Sequence, residues 1–169
     1  DGGVSVGTGT LSGSGGTAIA TCTISSLTAG DHSITAVYSG DSIFASSTSP
    51  AVTQVVGKKI LTVTADAKSK VYGDSDPGLT HQITSGSLVN GDSFSGGLAR
   101  AAGEPAGNYD IQQGTLSLSS NYTLTFVGSS LTVTTRPITV TADAQTKLYG
   151  DPDPTLTYQV TSGSLAGGD

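Results

Sequence analysis

The sequence contains a long internal repeat. Residues 60–92 and 137–169 match without a gap at an offset of 77, with 22 of 33 positions identical. The two stretches open ILTVTADAKSKVYGDSDP and PITVTADAQTKLYGDPDP. Residues 60–136 therefore make one complete repeat, and 137–169 are expected to be a truncated second repeat. A period of 77 is too long for a solenoid turn and suits a small domain with its own core. The expected architecture is a row of such domains.

The repeat is written in strands. Leu61-Thr62-Val63-Thr64-Ala65 alternates with period 2, as a half-buried strand does. Leu79 to Thr84, Tyr109 to Gln112, Tyr122 to Val127 and Leu131 to Thr134 are further strand candidates. Ser87-Leu88-Val89-Asn90 is the one stretch that suggests a helical turn. Gly-Asp, Asp-Pro and Gly-Gly pairs punctuate the runs as turns. Gly, Ser and Thr make up 73 of the 169 residues, and Leu, Ile, Val and Phe only 37. Such a chain has little to bury, so thin-cored β modules are expected rather than one large enzyme domain. The fold class is all-β, and a β-grasp-like sheet is one arrangement the order of the repeat's strands allows. One copy's last strand runs through Thr135-Arg136-Pro137 into the next copy's first. Pro137 holds the residue before it extended, so the join reads as stiff.

Residues 1–56 lack the repeat. Val4–Leu11, Thr17–Ile24, Ser33–Tyr38 and Ala51–Val56 are expected as strands, and 57–59 as a hinge. Four strands fall short of the seven or so of a sandwich. With no Met, the chain reads as a piece of a longer protein, and residues 1–56 as the C-terminal part of a domain.

The candidates for chemistry are few. Seven basic against thirteen acidic residues, with no basic cluster, argue against nucleic acid. No apolar run approaches the roughly 20 residues of a membrane-spanning helix. The single cysteine, Cys22, makes neither an internal disulfide nor a cysteine-ligated zinc site, and reads as a small buried hydrophobe in a strand. His32 reads as a turn or strand-start residue. His81 is Tyr158 in the second copy, and Glu104 is the only Glu. No catalytic residue and no cofactor are expected. The metal candidates are Asp74 and Asp76, repeated as Asp151 and Asp153, because calcium takes clustered hard oxygens. Asp66 and Asp143 add to them only if the fold brings them close. Turn formation is the competing role for Gly-Asp-x-Asp-Pro. The aromatics Tyr72, Phe94, Tyr109, Tyr122 and Phe126 are expected in the core rather than as a sugar-stacking platform.

Two resemblances stand on these residues. Leu27 to Asp41, with the phrase His32-Ser33-Ile34-Thr35-Ala36-Val37-Tyr38-Ser39-Gly40-Asp41, resembles the C-terminal half of bacterial Ig-like domains of the group 3 type. Val63-Thr64-Ala65, Val71-Tyr72-Gly73-Asp74 with Asp76-Pro77, Gly107-Asn108-Tyr109 and Asn121-Tyr122 resemble the MBG or YDG-type domain of bacterial surface proteins. The resemblance implies non-catalytic modules arrayed in large secreted or surface-anchored adhesins, extracellular or on the cell surface. It implies a structural stalk or spacer, or alternatively a glycan- or ligand-binding module. The expected partners are neighbouring repeats of the same monomeric chain, and host or surface glycans and proteins through other domains.

Overall fold

The structure, a computed structural model, describes residues 1–14, 16–166 and 168–169. Its regular elements are all β-strands. By contacts the chain divides into two compact units. One holds residues 1–61, 86–93 and 118–124, the other residues 62–85, 94–117 and 125–169.

In residues 1–56 the strands are short and pair two by two. β1 (Ser12–Ser14) pairs with β2 (Thr17–Ile19), β3 (Gly30–Ile34) with β6 (Val52–Val56), and β4 (Val37–Tyr38) with β5 (Ser47–Thr48). The strand expected over Ser33–Tyr38 is interrupted because the chain changes partner. β3 follows β6 as far as Ile34 opposite Val52, and β4 then takes up β5. Between them the Ala36 amide donates to Ser49 Oγ (3.0 Å), and the Ser49 amide to the Ala36 carbonyl (2.9 Å). Val4–Leu11 is not a strand, and the one expected over Thr17–Ile24 stops at Ile19. Gly7 and Gly9 pass close to Cys22 and Thr21, but glycines contribute no side chain to hold a ladder. Cys22 is exposed and outside any strand, not a buried hydrophobe. Both faces of β6 stay wet, and so do other apolar residues here: Ile19, Val37, Val52 and Val55 are each more than 60 % exposed.

Residues 60–136 hold the core. β7 (Lys59–Ala65), β8 (Lys68–Val71), β9 (His81–Ser85), β10 (Ala99–Arg100), β11 (Gly107–Gln112), β12 (Tyr122–Val127) and β13 (Ser129–Thr134) divide into two sheets. One runs β12-β7-β9, the other β10-β11-β13-β8. The single β-grasp-like sheet is thus replaced by two smaller ones. β8 and β13 are parallel, Leu131 opposite Lys68 and Thr134 opposite Val71. The period-2 reading holds where apolar residues alternate. Leu61, Val63 and Ala65 of β7 are buried, as are Leu131 and Val133 of β13. Ala65, Ile111 and Leu131 form one cluster, flanked by Leu79, Leu98 and Phe126. Of the five aromatics expected inside, only Tyr122 is buried, and the other four are half-buried. The expected helical turn is a β-turn instead. The Asp92 amide donates to the Val89 carbonyl (2.9 Å), and Asn90 and Gly91 have φ of 55° and 77°. Positive φ at both central residues is what a type I′ turn requires, and Asn-Gly supplies it.

In the second copy, β14 (Thr139–Ala142) and β15 (Tyr158–Ser162) pair as β7 and β9 do. Even the bulge recurs, between Thr62 and Val63 and again between Thr139 and Val140. What differs is burial. Val63 is fully buried and its twin Val140 is 50 % exposed. Leu61 is fully buried and its twin Ile138 is 43 % exposed. In this chain no residues correspond to β10–β13 for the second copy. The apolar cover of the hairpin therefore comes from that later half.

This twin arrangement predicts unequal costs for equal changes. Val63→Ala should destabilise its repeat by about 2 kcal/mol, the scale of burying a Val side chain plus the cavity left. Val140→Ala should cost well under half as much. The urea midpoint read on the Leu131 and Val133 methyl resonances checks the first, and that of the Val160 methyls checks the second.

Candidate functional site

Six charged residues of the repeat, Lys70, Asp74, Asp76, Arg100, Glu104 and Arg136, gather where β8 ends. Val71-Tyr72-Gly73-Asp74 closes as a turn, the Asp74 amide donating to the Val71 carbonyl (3.0 Å). Gly73 has φ 83°, the positive angle that a type II turn needs at its third residue. The turn recurs as Leu148-Tyr149-Gly150-Asp151, with an amide bond of 3.1 Å and φ 92° at Gly150.

Four side chains meet beside the first turn. Lys70 Nζ donates to Asp76 Oδ1 (2.7 Å), Glu104 Oε2 (2.6 Å) and the Asp74 carbonyl (3.1 Å). Its side chain is only 4 % exposed. Arg100 grips both Asp76 oxygens through Nε and Nη2, and Glu104 Oε1 through Nη2. Its Nη1 donates to the carbonyls of Ala101 (2.9 Å) and Gly103 (2.6 Å). All five guanidinium N–H groups therefore have an acceptor. The guanidinium carbon also lies 5.5 Å from the Tyr109 ring centre, within cation–π range. Gly103 makes this possible: a Cβ there would stand 2.1 Å from a Tyr109 ring carbon.

Two cations and two anions cancel, and each keeps the others charged. The bonds from Arg100, and then those from Lys70, hold the Asp76 carboxyl down at about 2. Lys70, and then Arg100, lower Glu104. Asp76, and then Glu104, raise Lys70. General acid–base work near neutrality needs a group that titrates there, and this network holds its members in their ionised forms. An amide cross-link from Lys70 to either carboxyl would need a neutral amine and a protonated acid, whereas Asp76 and Glu104 hold the amine charged and Arg100 helps hold the acids ionised. Chemically the cluster is a clamp. It ties the turn after β8 to β10 and the loop behind it.

The sequence candidates fall as follows. Asp76 is inside the clamp, and the Asp74 carboxylate pairs with Arg136. Asp153 pairs with Lys147, and Asp151 closes its turn through its backbone. Asp66 does not join them: it accepts from Thr80 Oγ1 (2.5 Å) and Gln82 Nε2 (3.4 Å). Asp143 is held the same way by Thr157 (2.7 Å) and Gln159 (2.9 Å). Among the described residues no three His, Cys, Asp or Glu side chains gather in the manner of a metal site. His32 lies within β3, its ring nitrogens against Asp1 Oδ2 (2.6 Å) and the Thr28 carbonyl (2.7 Å). His81 meets Phe94 edge-on at 4.8 Å. Sequence reasoning missed Lys70 and Arg100 altogether. The signal for Lys70 was there: Lys six residues ahead of Asp recurs as Lys147 and Asp153.

The Ig-like phrase ends in a turn. Asp41 Oδ1 accepts the amides of Ile43 and Phe44, each at 2.7 Å, and Oδ2 accepts the Tyr38 hydroxyl (2.7 Å).

The chain is thus built of small β modules, one of them repeated, with most of the repeat's basic side chains paired to its carboxylates. The chain belongs to the MBG domain (YGX type) family, whose model matches residues 61–132 and again 138–169. A Tyr-Gly pair, as the letters of that type spell, stands at Tyr72-Gly73 and Tyr149-Gly150. The model for the bacterial Ig-like domain (group 3) matches residues 1–57 ahead of them. Comparison with curated proteins and with solved structures found no match. The two families are non-catalytic modules typical of bacterial surface proteins, and together they mark a repeat region of such a protein. Among the described residues no helix is long and apolar enough to cross a membrane.

The clamp predicts a pH dependence. Asp76 is lowered from an ordinary 3.8 to about 2, so its contribution is complete above about pH 4. It is lost as the pH falls through about 2. The effect is modest, because 41 % of the side chain faces water. The urea midpoint on the Leu131 methyls should fall between pH 4 and 2 in the native chain. Asp76→Asn should lower it at pH 7 and flatten part of that slope, Glu104 carrying another part. An unchanged slope would exclude Asp76 as the group responsible.

Proposed function

We propose that this chain is a length of structural stalk in a large bacterial extracellular or surface-attached adhesin. It is non-catalytic and holds a binding domain elsewhere in the protein away from its anchor. The observation that carries this reading is the join between copies. β13 ends at Thr134 and β14 begins at Thr139, so four residues, one of them Pro137, link one copy to the next. A link this short, without Gly or Ser, transmits orientation where a flexible tether would lose it. The charges of Lys70, Asp76, Arg100 and Glu104, spent on one another, agree with a load-carrying rather than a reacting part.

A ligand-binding module is the alternative, and its best support is the exposed pair Tyr149 and Tyr158. In the complete repeat their counterparts serve the fold instead. Tyr72 is half-buried and His81 packs on Phe94. In the stalk reading Asp74, Asp76, Asp151 and Asp153 are turn and ion-pair residues. Calcium would have to compete with Lys70 and Arg100 for the Asp76 carboxylate.

Small-angle scattering on tandems of one, two and three complete copies of residues 60–136 tests this. The maximum dimension should grow by about 20–30 Å per copy, the width of a compact domain this size. A particle that stays compact as copies are added would sink the reading. Repeating the measurement with calcium and with chelator tests the aspartates. A calcium-dependent change that disappears in Asp74→Ala would assign them to metal.

A further inference from the structure

The join holds an ion pair separate from the clamp. Arg136 lies between β13 and β14 and turns back onto the Tyr-Gly-Asp turn at the end of β8. Its Nε donates to the Tyr72 carbonyl (2.7 Å), and its Nη2 donates to the Asp74 carboxylate. β13 delivers it there. The Tyr72 amide donates to the Thr134 carbonyl (2.8 Å), and Thr134 Oγ1 donates to the Lys70 carbonyl (3.2 Å). Gly73 leaves the space: a Cβ on it would stand 2.4 Å from the Ala166 Cβ and 3.4 Å from Arg136 Nε and Nη2. Ala166 belongs to the second copy. With Ile138 and Leu165 it faces Tyr72, Pro105 and Arg136 across a cleft of about 440 Å³.

We infer that the Tyr-Gly-Asp turn is a docking surface for the following copy of the repeat, and that Arg136 is the lock that fixes the angle between the two. Three features of the chain support this. The guanidinium fork meets a carbonyl and a carboxylate at once, which a lysine ammonium does not reproduce as a planar pair. At the same position 77 residues earlier stands Lys59, and residues 1–58 contain no Tyr-Gly-Asp. Arginine thus occurs where the preceding domain offers the turn, and lysine where it does not. The second copy's turn keeps its backbone bond and its positive φ with Tyr149 fully exposed. The turn is therefore preformed, and the arginine is not needed to fold it.

The inference rests on the stalk reading for its purpose, but its test is independent. Residual dipolar couplings are measured on the full 169-residue chain, comparing β8, β11 and β13 with β14 and β15. In the native chain one alignment tensor should fit both sets. Arg136→Gln and Asp74→Asn should each lose the shared tensor, with the couplings of β14 and β15 shrinking. The shifts of β8 and β13 should stay put in both variants. Salt of about 1 M, where screening acts within roughly 3 Å, should do the same to the native chain. Couplings unchanged in both variants would overturn the lock. So would a native second copy that already reorients alone, or a variant in which the shifts of β8 and β13 collapse. Tandems that lengthen in scattering while Arg136→Gln leaves the couplings intact would sink the lock and leave the stalk standing. Tandems that stay compact would sink the stalk.

Discussion

β13 lies parallel on β8 and joins residues as far as 64 positions apart, Thr134 bonding to the Lys70 carbonyl. A parallel pair cannot be closed by a tight turn, so everything between must be ordered or looped out before it forms. Its consequences run through the repeat. It adds Leu131 and Val133 to the buried residues Leu61, Val63, Ala65, Ile111, Leu116 and Tyr122. It also sets Lys70 beside the loop carrying Glu104, and it ends where Arg136 can reach Tyr72.

The second copy separates what is local from what is not. The bulge, the Thr-Gln clasp on the aspartate after the first strand and the Tyr-Gly-Asp turn all recur there. So does a hydroxyl pair across the hairpin, Thr64 with Thr84 at 3.1 Å and Thr141 with Thr161 at 2.9 Å. These features form without β10–β13, from contacts about twenty residues apart. Burial does not recur: Lys147 meets Asp153, and the Asp153 side chain is 85 % exposed. Polar clasps therefore shape the hairpin, and the long-range strands dry its apolar face.

That division explains what could be read in the sequence. β7, β11, β12 and β13 were legible because each alternates apolar residues or carries β-branched and aromatic ones. β8 was not, because Lys68-Ser69-Lys70-Val71 has no apolar period and is a strand only through its distant partner. β10 is two residues long and was missed for the same reason. In residues 1–56 Ala51–Val56 formed almost whole as β6, while two other expected strands came out shorter, since pairing changes at Ala36 and Thr21 and Cys22 lie against glycines of Val4–Leu11. At the site, Asp74 and Asp76 were singled out from spacing. Their partners Arg100 and Arg136 lie 24 and 62 residues further on, beyond what spacing can connect.

The placing of the basic residues follows from how little this chain can bury. Only seven Lys and Arg are present, and four of them, Lys70, Arg100, Arg136 and Lys147, sit at the two Tyr-Gly-Asp turns. An exposed ion pair by itself contributes little, because water competes for both charges. Gathered around a turn preset by glycine, the same charges meet fixed carbonyls as well as carboxylates, and Lys70 and Arg100 are largely shielded by their partners. Each bond then costs less ordering than it would between two mobile side chains. A thin core leaves a small domain free to deform at its ends, where strands stop and loops begin. The turn at the end of β8 is where these charges are concentrated.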